Sequence, residues 1–532
     1  MRGLVGLAGP YGRAAALWGA GDRRGALTAL EASPARLTAF SLAVDQPTVA
    51  RSALARISEH DGARPRLAAR LAYREGRLTD AVRALDGARG WRSARLRRSL
   101  AAELRMLEPG SLTLAGQDRR PAPPASPGRI LHIVTDALPS TSAGYTIRTQ
   151  EIALGQRAAG MDPHVSTRIG FPVTAGAIDG RATVTVGGVP YHRLLPWVMP
   201  GRMDRLYQAH LHRAAGLTTG LRPAVLHAAS NYANAVIALA LRDATGLPVL
   251  YEVRGFWEDT WLSRHAALDE LKRSDRYVRT RALETYCMTA ADLVVTLGEA
   301  MREEIVARGV PADHVIIVPN AVSQEFLRPL PDDGGRLRAS LGLGPAEFVV
   351  GLVSSLVAHE GIGTLLEAVR LLGERGVSAR ALIVGDGPER TALQRQAAAL
   401  GLDAVFTGRV PSARVRDYHA VLDAFVVPRT PDRVCQLVTP LKPVEAMASG
   451  LPVVVSDVRA LAEIITDRET GLLFPPLDAA ALADQLQQLQ ASPDLRVKLG
   501  AAAREWVARD RTWAHNADRY RAAYQRLGAP LR

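Results

Sequence analysis

The sequence predicts an α/β chain: parallel-sheet units preceded by an all-helical N-terminal region. Three observations carry this. Short apolar runs such as 130–134 (ILHIV), 249–253 (VLYEV) and 451–455 (LPVVV) alternate with helix-length stretches, as in strand–helix units whose strands are covered on both faces. Residues 1–108 contain helical patterns only. Between the two lies 109–128 (PGSLTLAGQDRRPAPPASPG), too rich in Pro and Gly for regular structure and read as an extended linker.

At 532 residues the chain is long enough for about three domains. Its 47% apolar and 22% charged residues are those of a soluble globular protein. Two cysteines, Cys287 and Cys435, exclude a disulfide framework and a cysteine-rich metal site and fit a reducing cytoplasm. The stretch LVGLAGPYG between Arg2 and Arg13 is too short and glycine-rich for a signal peptide. No run of about 18 apolar residues is present, so no spanning helix is expected. The expected location is the cytoplasm, with peripheral contact at the inner face of the membrane as a further option.

The net charge is +13, and only three of the 66 basic residues, Lys272, Lys442 and Lys498, are lysines. Residues 1–127 hold 21 Arg against 11 Asp plus Glu, a net of +10, so the excess belongs to the N-terminal region. Within it, Gly21 and Gly76 each separate an apolar helix from a second helix. The pattern resembles a degenerate helical-hairpin repeat of the tetratricopeptide kind, although a 55-residue spacing does not match that period. The stretch 91–107 (WRSARLRRSLAAELRML) is a basic amphipathic helix that suits either an anionic membrane surface or packing against neighbours with a solvated arginine face. The region lacks aromatic interleaving and any nucleic-acid motif, so no nucleic-acid partner is expected.

The stretch Val426–Asp457 (VVPRTPDRVCQLVTPLKPVEAMASGLPVVVSD) reads as strand, basic loop, short helix, strand. Pro443 suits the first helical position, Glu445 falls in the first turn, and Gly450 suits the C-terminal cap. A helix start offers free N–H groups, and Arg429, Arg433 and Lys442 stand nearby in sequence, a combination suited to a diphosphate. A carboxylate beside an anion site is suited to ribose hydroxyls. An ordinary βαβ unit with a charged rim satisfies the same spacing.

On these residues, TPLKPVEAMASGLPVVVSD resembles the donor-site signature of the GT4-type retaining glycosyltransferases, whose fold is GT-B: two Rossmann-like domains facing a cleft. The resemblance implies that Glu445 holds the donor ribose. The usual second glutamate, eight residues earlier, is Leu437 here, so the chain is more similar to a subgroup with a P-x-K-x-x-E core whose lysine faces the diphosphate. The family's basic loop after the first strand of the donor domain is replaced by Ser354, Ser355, His359 and Glu360, which moves the expected positive charge to Arg429, Arg433 and Lys442. The GYxxR pattern at Gly144, Tyr145 and Arg148 matches the family's glycine-rich loop against the diphosphate. Arg409 and Val410 match the backbone that faces the nucleobase. His227 and Arg254, read as lying at strand ends of the first domain, match cleft positions.

The expected domains are the helical region 1–108, the linker 109–128, an acceptor domain 129–322, a nucleotide-sugar donor domain 323–505, and a C-terminal helix 506–532 crossing back. The resemblance implies transfer of a sugar from a nucleotide diphosphate sugar to a glycan or lipid-linked acceptor, with retention of configuration. Lys442, Arg429, Arg254 and His227 are the expected catalytic residues. Gly144, Tyr145, Ser354, Arg409, Val410, Arg433 and Glu445 are the expected donor-binding residues. No Asp-x-Asp pair is present, so no metal is expected, and no cofactor besides the nucleotide sugar as co-substrate. Two other readings fit the same residues: a nucleotide-sugar epimerase of the same fold, and a non-catalytic adaptor with a degenerate donor domain.

Overall fold

The computed structural model describes residues 9–114, 123–263, 265, 268–330 and 334–531. Of the expected linker, 115–122 lies outside the described residues, as does the N-terminal stretch before Gly9. The chain forms two compact units. One runs to Thr113 and also takes in Val198–Ala209 and Trp257–Tyr286; the other holds the remainder.

The first unit contains seven helices in its leading segment: α1 (Pro10–Gly19), α2 (Arg23–Thr28), α3 (Pro34–Ala43), α4 (Pro47–Ala55), α5 (Arg64–Arg74), α6 (Leu78–Arg83) and α7 (Trp91–Met106). Proline opens α1, α3 and α4, where its missing N–H costs nothing. Gly21 and Gly76 adopt the left-handed conformation between paired helices, as the sequence predicts. Asp45 does the same between α3 and α4, at φ 56°. Asp tolerates that conformation better than most residues. The 55-residue interval between the glycines therefore spans two hairpins rather than one repeat.

The later segments are integral to this unit. The Asp275 carboxylate accepts the Leu78 and Thr79 N–H groups at 2.5 and 2.6 Å, capping α6 from far along the chain. The Arg276 guanidinium donates to Glu103 at 3.0 Å and lies 4.7 Å from the Tyr73 ring centre. A Cβ at Gly76 would come within 2.8 Å of the Ser274 hydroxyl. The expected contiguous domain 129–322 is thus corrected: segments 198–209 and 257–286 complete the helical unit, and contiguous sequence could not reveal that. Deleting residues 1–108 should strip the partners of Asp275 and Arg276; limited proteolysis should then cut within 257–286, which stays protected in the full chain. The milder Asp275→Ala change should cost about 0.5–2 kcal/mol, the range for a lost helix N-cap, read by denaturant unfolding.

The second unit holds two sheets. The first contains β1 (Arg129–Val134), β2 (Asp162–Thr167), β3 (Thr183–Val186), β4 (Val189–His192), β5 (Val225–Ala229), β6 (Val249–Val253), β7 (Leu293–Thr296) and β8 (Val315–Ile317). Their order is β3-β4-β2-β1-β5-β6-β7-β8, parallel apart from the β3–β4 pair at one edge. The second sheet contains β9 (Phe348–Val353), β10 (Ala379–Val384), β11 (Val405–Gly408), β12 (Ala424–Val427), β13 (Val453–Ser456) and β14 (Leu472–Phe474), ordered β11-β10-β9-β12-β13-β14. The strand order reverses between β1 and β5 and between β9 and β12. In open parallel sheets the crevice beyond the strand ends at such reversals is where ligands bind.

The chain passes back to the first sheet at Arg511–Thr512. The Val322 N–H donates to the Arg511 carbonyl, and the helix Trp513–Arg526 buries Trp513, Tyr520 and Tyr524 against Ile130, Val225 and Leu250. The expected boundary at 505/506 falls instead inside the helix Pro493–Asp510, which ends only as the chain extends to pair with Val322.

Candidate active site

In the second sheet, β9 ends at Val353 and delivers Ser354. After a short turn, Glu360 is buried beneath it. The Lys442 ammonium donates to the Glu360 carboxylate at 2.8 Å and to the Ser354 hydroxyl at 2.5 Å. Arg429, one residue beyond Pro428 at the end of β12, donates to the same Glu360 oxygen at 3.2 Å and to the Val438 carbonyl at 2.9 Å. Burial would raise the Glu360 carboxyl, but Lys442 and Arg429 together hold it well below the usual carboxylate range. The two cations differ in access: the Lys442 side chain is 27% exposed and that of Arg429 only 9%.

The helix Lys442–Ala448 starts one residue earlier than expected, at Lys442 rather than Pro443, with Glu445 in its first turn. Glu445 is half-buried. Burial pushes its carboxyl up to about 7; Lys442 works against this, and Glu151 reinforces it. Arg433 departs from the expected cluster: it opens the helix Arg433–Leu437 and pairs with Glu304 at 2.7 Å, beside the junction of the two sheet domains. Arg409 is exposed and Val410 half-buried just past β11. Glu360 is the residue whose role the sequence hid. It occupies the loop where a cation is expected, and only the fold shows that it collects Lys442 and Arg429.

In the first sheet domain, helix α8 spans Gly144–Ala158, so the expected glycine-rich loop is already helical. A Cβ on Gly144 would meet nothing within 4 Å, so the fold itself does not require glycine there. Tyr145 is exposed and donates to Asp136 at 3.3 Å, with burial first and Asp136 second pushing its hydroxyl up to about 12. Arg148 points inward. Its guanidinium pairs with Glu252 at 2.8 Å and donates to the Val318 and Pro319 carbonyls and to Asn320.

Glu252 also accepts from Tyr520 at 3.0 Å and from Arg254 at 2.9 Å, and bonds the His227 Nε2 at 2.9 Å. Two expectations are corrected here. His227 lies in mid-strand of β5 rather than at its end, is fully buried, and spends its second nitrogen on Tyr524 at 2.8 Å. Arg254 does stand at the end of β6, but it is paired to Glu252 and holds the first turn of α8 through the Tyr145 carbonyl and the Thr149 hydroxyl. Neither His227 nor Arg254 stands free at a cleft wall.

Replacing Glu252 with Gln should destabilise the chain by about 3–5 kcal/mol, because two buried guanidinium groups lose their carboxylate. Urea unfolding measures this. Acid should weaken the same core before ordinary carboxylates titrate. Burial lowers the pKa of His132, with His227 adding to the effect, and burial likewise lowers that of His227 itself. The unfolded chain therefore takes up protons first as pH falls. Stability is full above about 6.5 and declines below it, by up to about 1.4 kcal/mol per pH unit per histidine. Urea midpoints recorded from pH 7.5 to 5 should show the fall.

Among the described residues no group of three or more His, Cys, Asp or Glu side chains is placed to hold a metal ion, and no helix is long and apolar enough to cross a membrane.

Comparison with known proteins accords with this geometry. A model of the glycosyl transferase 4-like domain matches residues 143–321, and one of glycosyl transferases group 1 matches 335–506. A GDP-mannose-dependent alpha-(1-6)-phosphatidylinositol monomannoside mannosyltransferase of Mycolicibacterium smegmatis is 31% identical over 42% of this chain and 59% of its own length. A 2-deoxystreptamine glucosyltransferase of Streptomyces kanamyceticus is 29% identical over 50% of this chain and 69% of its own. The chain thus spans about three-fifths of the length of the first of these curated relatives. Among solved structures, sucrose-phosphate synthase of Thermosynechococcus elongatus superposes with a TM-score of 0.62 at 20% identity, covering 75% of this chain and 99% of that one. Anabaena HepE in complex with UDP-glucose gives 0.59 at 17% identity, with coverage of 75% and 99%. With both family models matched in order on the two sheet domains that such structures share, the chain belongs to the GT4-type glycosyltransferases of the GT-B fold.

Proposed function

We propose that the chain transfers a sugar from a nucleotide diphosphate sugar to a glycan or lipid-linked acceptor, with retention of configuration and without a metal. The observation that carries the reading is Lys442. It is oriented by Glu360 and Ser354 at the end of the donor sheet yet remains partly exposed. An ammonium has three N–H donors. Two are engaged, which leaves the third for a phosphate oxygen. Departure of a nucleotide diphosphate builds negative charge on its terminal phosphate, and a preorganised cation lowers that barrier. Arg429, behind Glu360, acts on the lysine through the shared carboxylate rather than on the phosphate. In this reading Glu445 accepts the ribose hydroxyls. Attack and departure occur on one face of the sugar, the departing phosphate oxygen taking the acceptor's proton. The mannosyl- and glucosyltransferase relatives and the UDP-glucose complex of HepE support a nucleotide sugar as donor.

The test is turnover with a panel of nucleotide sugars, with product anomeric configuration read by NMR. Lys442→Ala should cut turnover about 10²–10³-fold, the scale for one lost electrostatic donor, and Lys442→Arg should recover only part of it. Near-normal turnover in Lys442→Ala would overturn the assignment. Glu445→Ala should weaken UDP or GDP binding by about 1.5–3 kcal/mol, as for hydrogen bonds to a charged group. Because Glu445 titrates at about 7 and accepts best when ionised, wild-type nucleotide affinity should rise as pH increases through that value, and Glu445→Gln should flatten the profile. Calorimetric titration between pH 6 and 8 reads both effects.

A further inference from the structure

The helical unit carries a feature to which the proposed function assigns no role. Helices α3, α5 and α7 lie side by side, and with the segment after Gly201 they line a cleft of about 990 Å³. Eight arginines line it and no aspartate or glutamate does. Arg36 comes from α3, Arg66 and Arg70 from α5, and Arg92, Arg95 and Arg98 from α7. Among the described residues, only Arg202, from the later segment, is paired with a carboxylate, that of Asp204. Between them lie Ala35, Ala39, Ala63, Leu67 and Leu96. At the mouth stands Trp91, 67% exposed, with the Arg92 guanidinium 5.5 Å from its ring centre.

So many cations facing one space without counter-charges repel one another, a cost that an anionic ligand relieves. Planar guanidinium groups match carboxylate, sulfate or phosphate oxygens in pairs. The volume lies at the upper end of small-ligand sites and accommodates a chain of several units. The aliphatic lining, Ala35, Ala39, Ala63, Leu67 and Leu96, offers no flat face. An exposed indole, by contrast, provides a flat apolar face for a sugar ring.

We infer that this cleft is a binding site for an acidic oligosaccharide, separate from the transfer chemistry, with arginines pairing the acid groups and Trp91 stacking on a sugar. The choice of a glycan over other polyanions rests on the glycosyltransferase reading; the anionic character of the ligand does not.

The experiment uses the full chain and calorimetric titration with size-defined oligogalacturonates, neutral maltooligosaccharides, oligo-dT, poly-glutamate and phosphatidylglycerol vesicles. The expected result is salt-sensitive binding of oligogalacturonate and none of the neutral sugar. Arg70→Ser with Arg95→Ser should weaken it at least tenfold, and Trp91→Ala several-fold. Unchanged melting and unchanged UDP or GDP affinity in the same variants would place the loss in the cleft. Equal oligogalacturonate binding by wild type and the double variant would overturn the site. Tighter binding of oligo-dT, poly-glutamate or vesicles than of oligogalacturonate, lost in the double variant, would keep an anion site but overturn the glycan assignment. The nucleotide titrations report separately on the transferase reading, so failure of one is distinguishable from failure of the other.

Discussion

The first sheet domain depends on one buried carboxylate. Glu252, in the middle of the sheet, gathers Arg148 from α8, Arg254 from the end of its own strand, His227 from the neighbouring strand and Tyr520 from the C-terminal helix. Arg148 then grips the backbone of 318–319 and the side chain of Asn320, where the chain leaves the domain. A single negative charge thus ties the start of α8, the sheet, the crossover and the returning helix. Such clusters are not strong sources of net stability, because desolvation offsets most of the Coulomb gain. What they supply is a penalty for any arrangement that leaves a member unpaired. The chain crosses twice between the two sheet domains, and this network holds residues of both crossings, 318–320 and Tyr520, to the first sheet.

The donor domain uses the same device at its surface. Glu360 is buried and holds two cations, but one of them, Lys442, reaches solvent. Arg429 keeps the carboxylate ionised, and the carboxylate keeps the ammonium in place. This explains how a loop carrying a glutamate where the family commonly carries a cation still leaves a positive charge at the helix start. The charge has changed elements without leaving the site. A cation tethered by a shared carboxylate also leaves less excess charge there than two free cations would.

Much of this was legible in the sequence, for identifiable reasons. The strands announced themselves because those covered on both faces must be apolar throughout, as in Val249–Val253 and Val453–Val455. Pro443, Glu445 and Gly450 marked the short helix because each has a position-specific backbone role. Gly21 and Gly76 marked hairpin turns for the same reason, while Asp45 escaped because its side chain does not require that conformation. Pairings were not legible. His227 and Arg254 were read from the ends of strands, yet their partners, Glu252 and Tyr524, lie 25 and 297 residues from His227. The GYxxR pattern was found, but which way Arg148 points depends on Glu252 and on the 318–320 backbone, and no local rule supplies that.

The helical unit shows the limit most clearly. Its leading segment is self-evidently helical, and a proline-rich linker follows it, so the sequence argues for an appendage that could be removed. The structure completes that unit with two segments borrowed from within the acceptor domain's sequence, and Asp275 caps α6 from one of them. An insertion that returns to build a preceding domain binds the two in folding, whatever the linker between them allows.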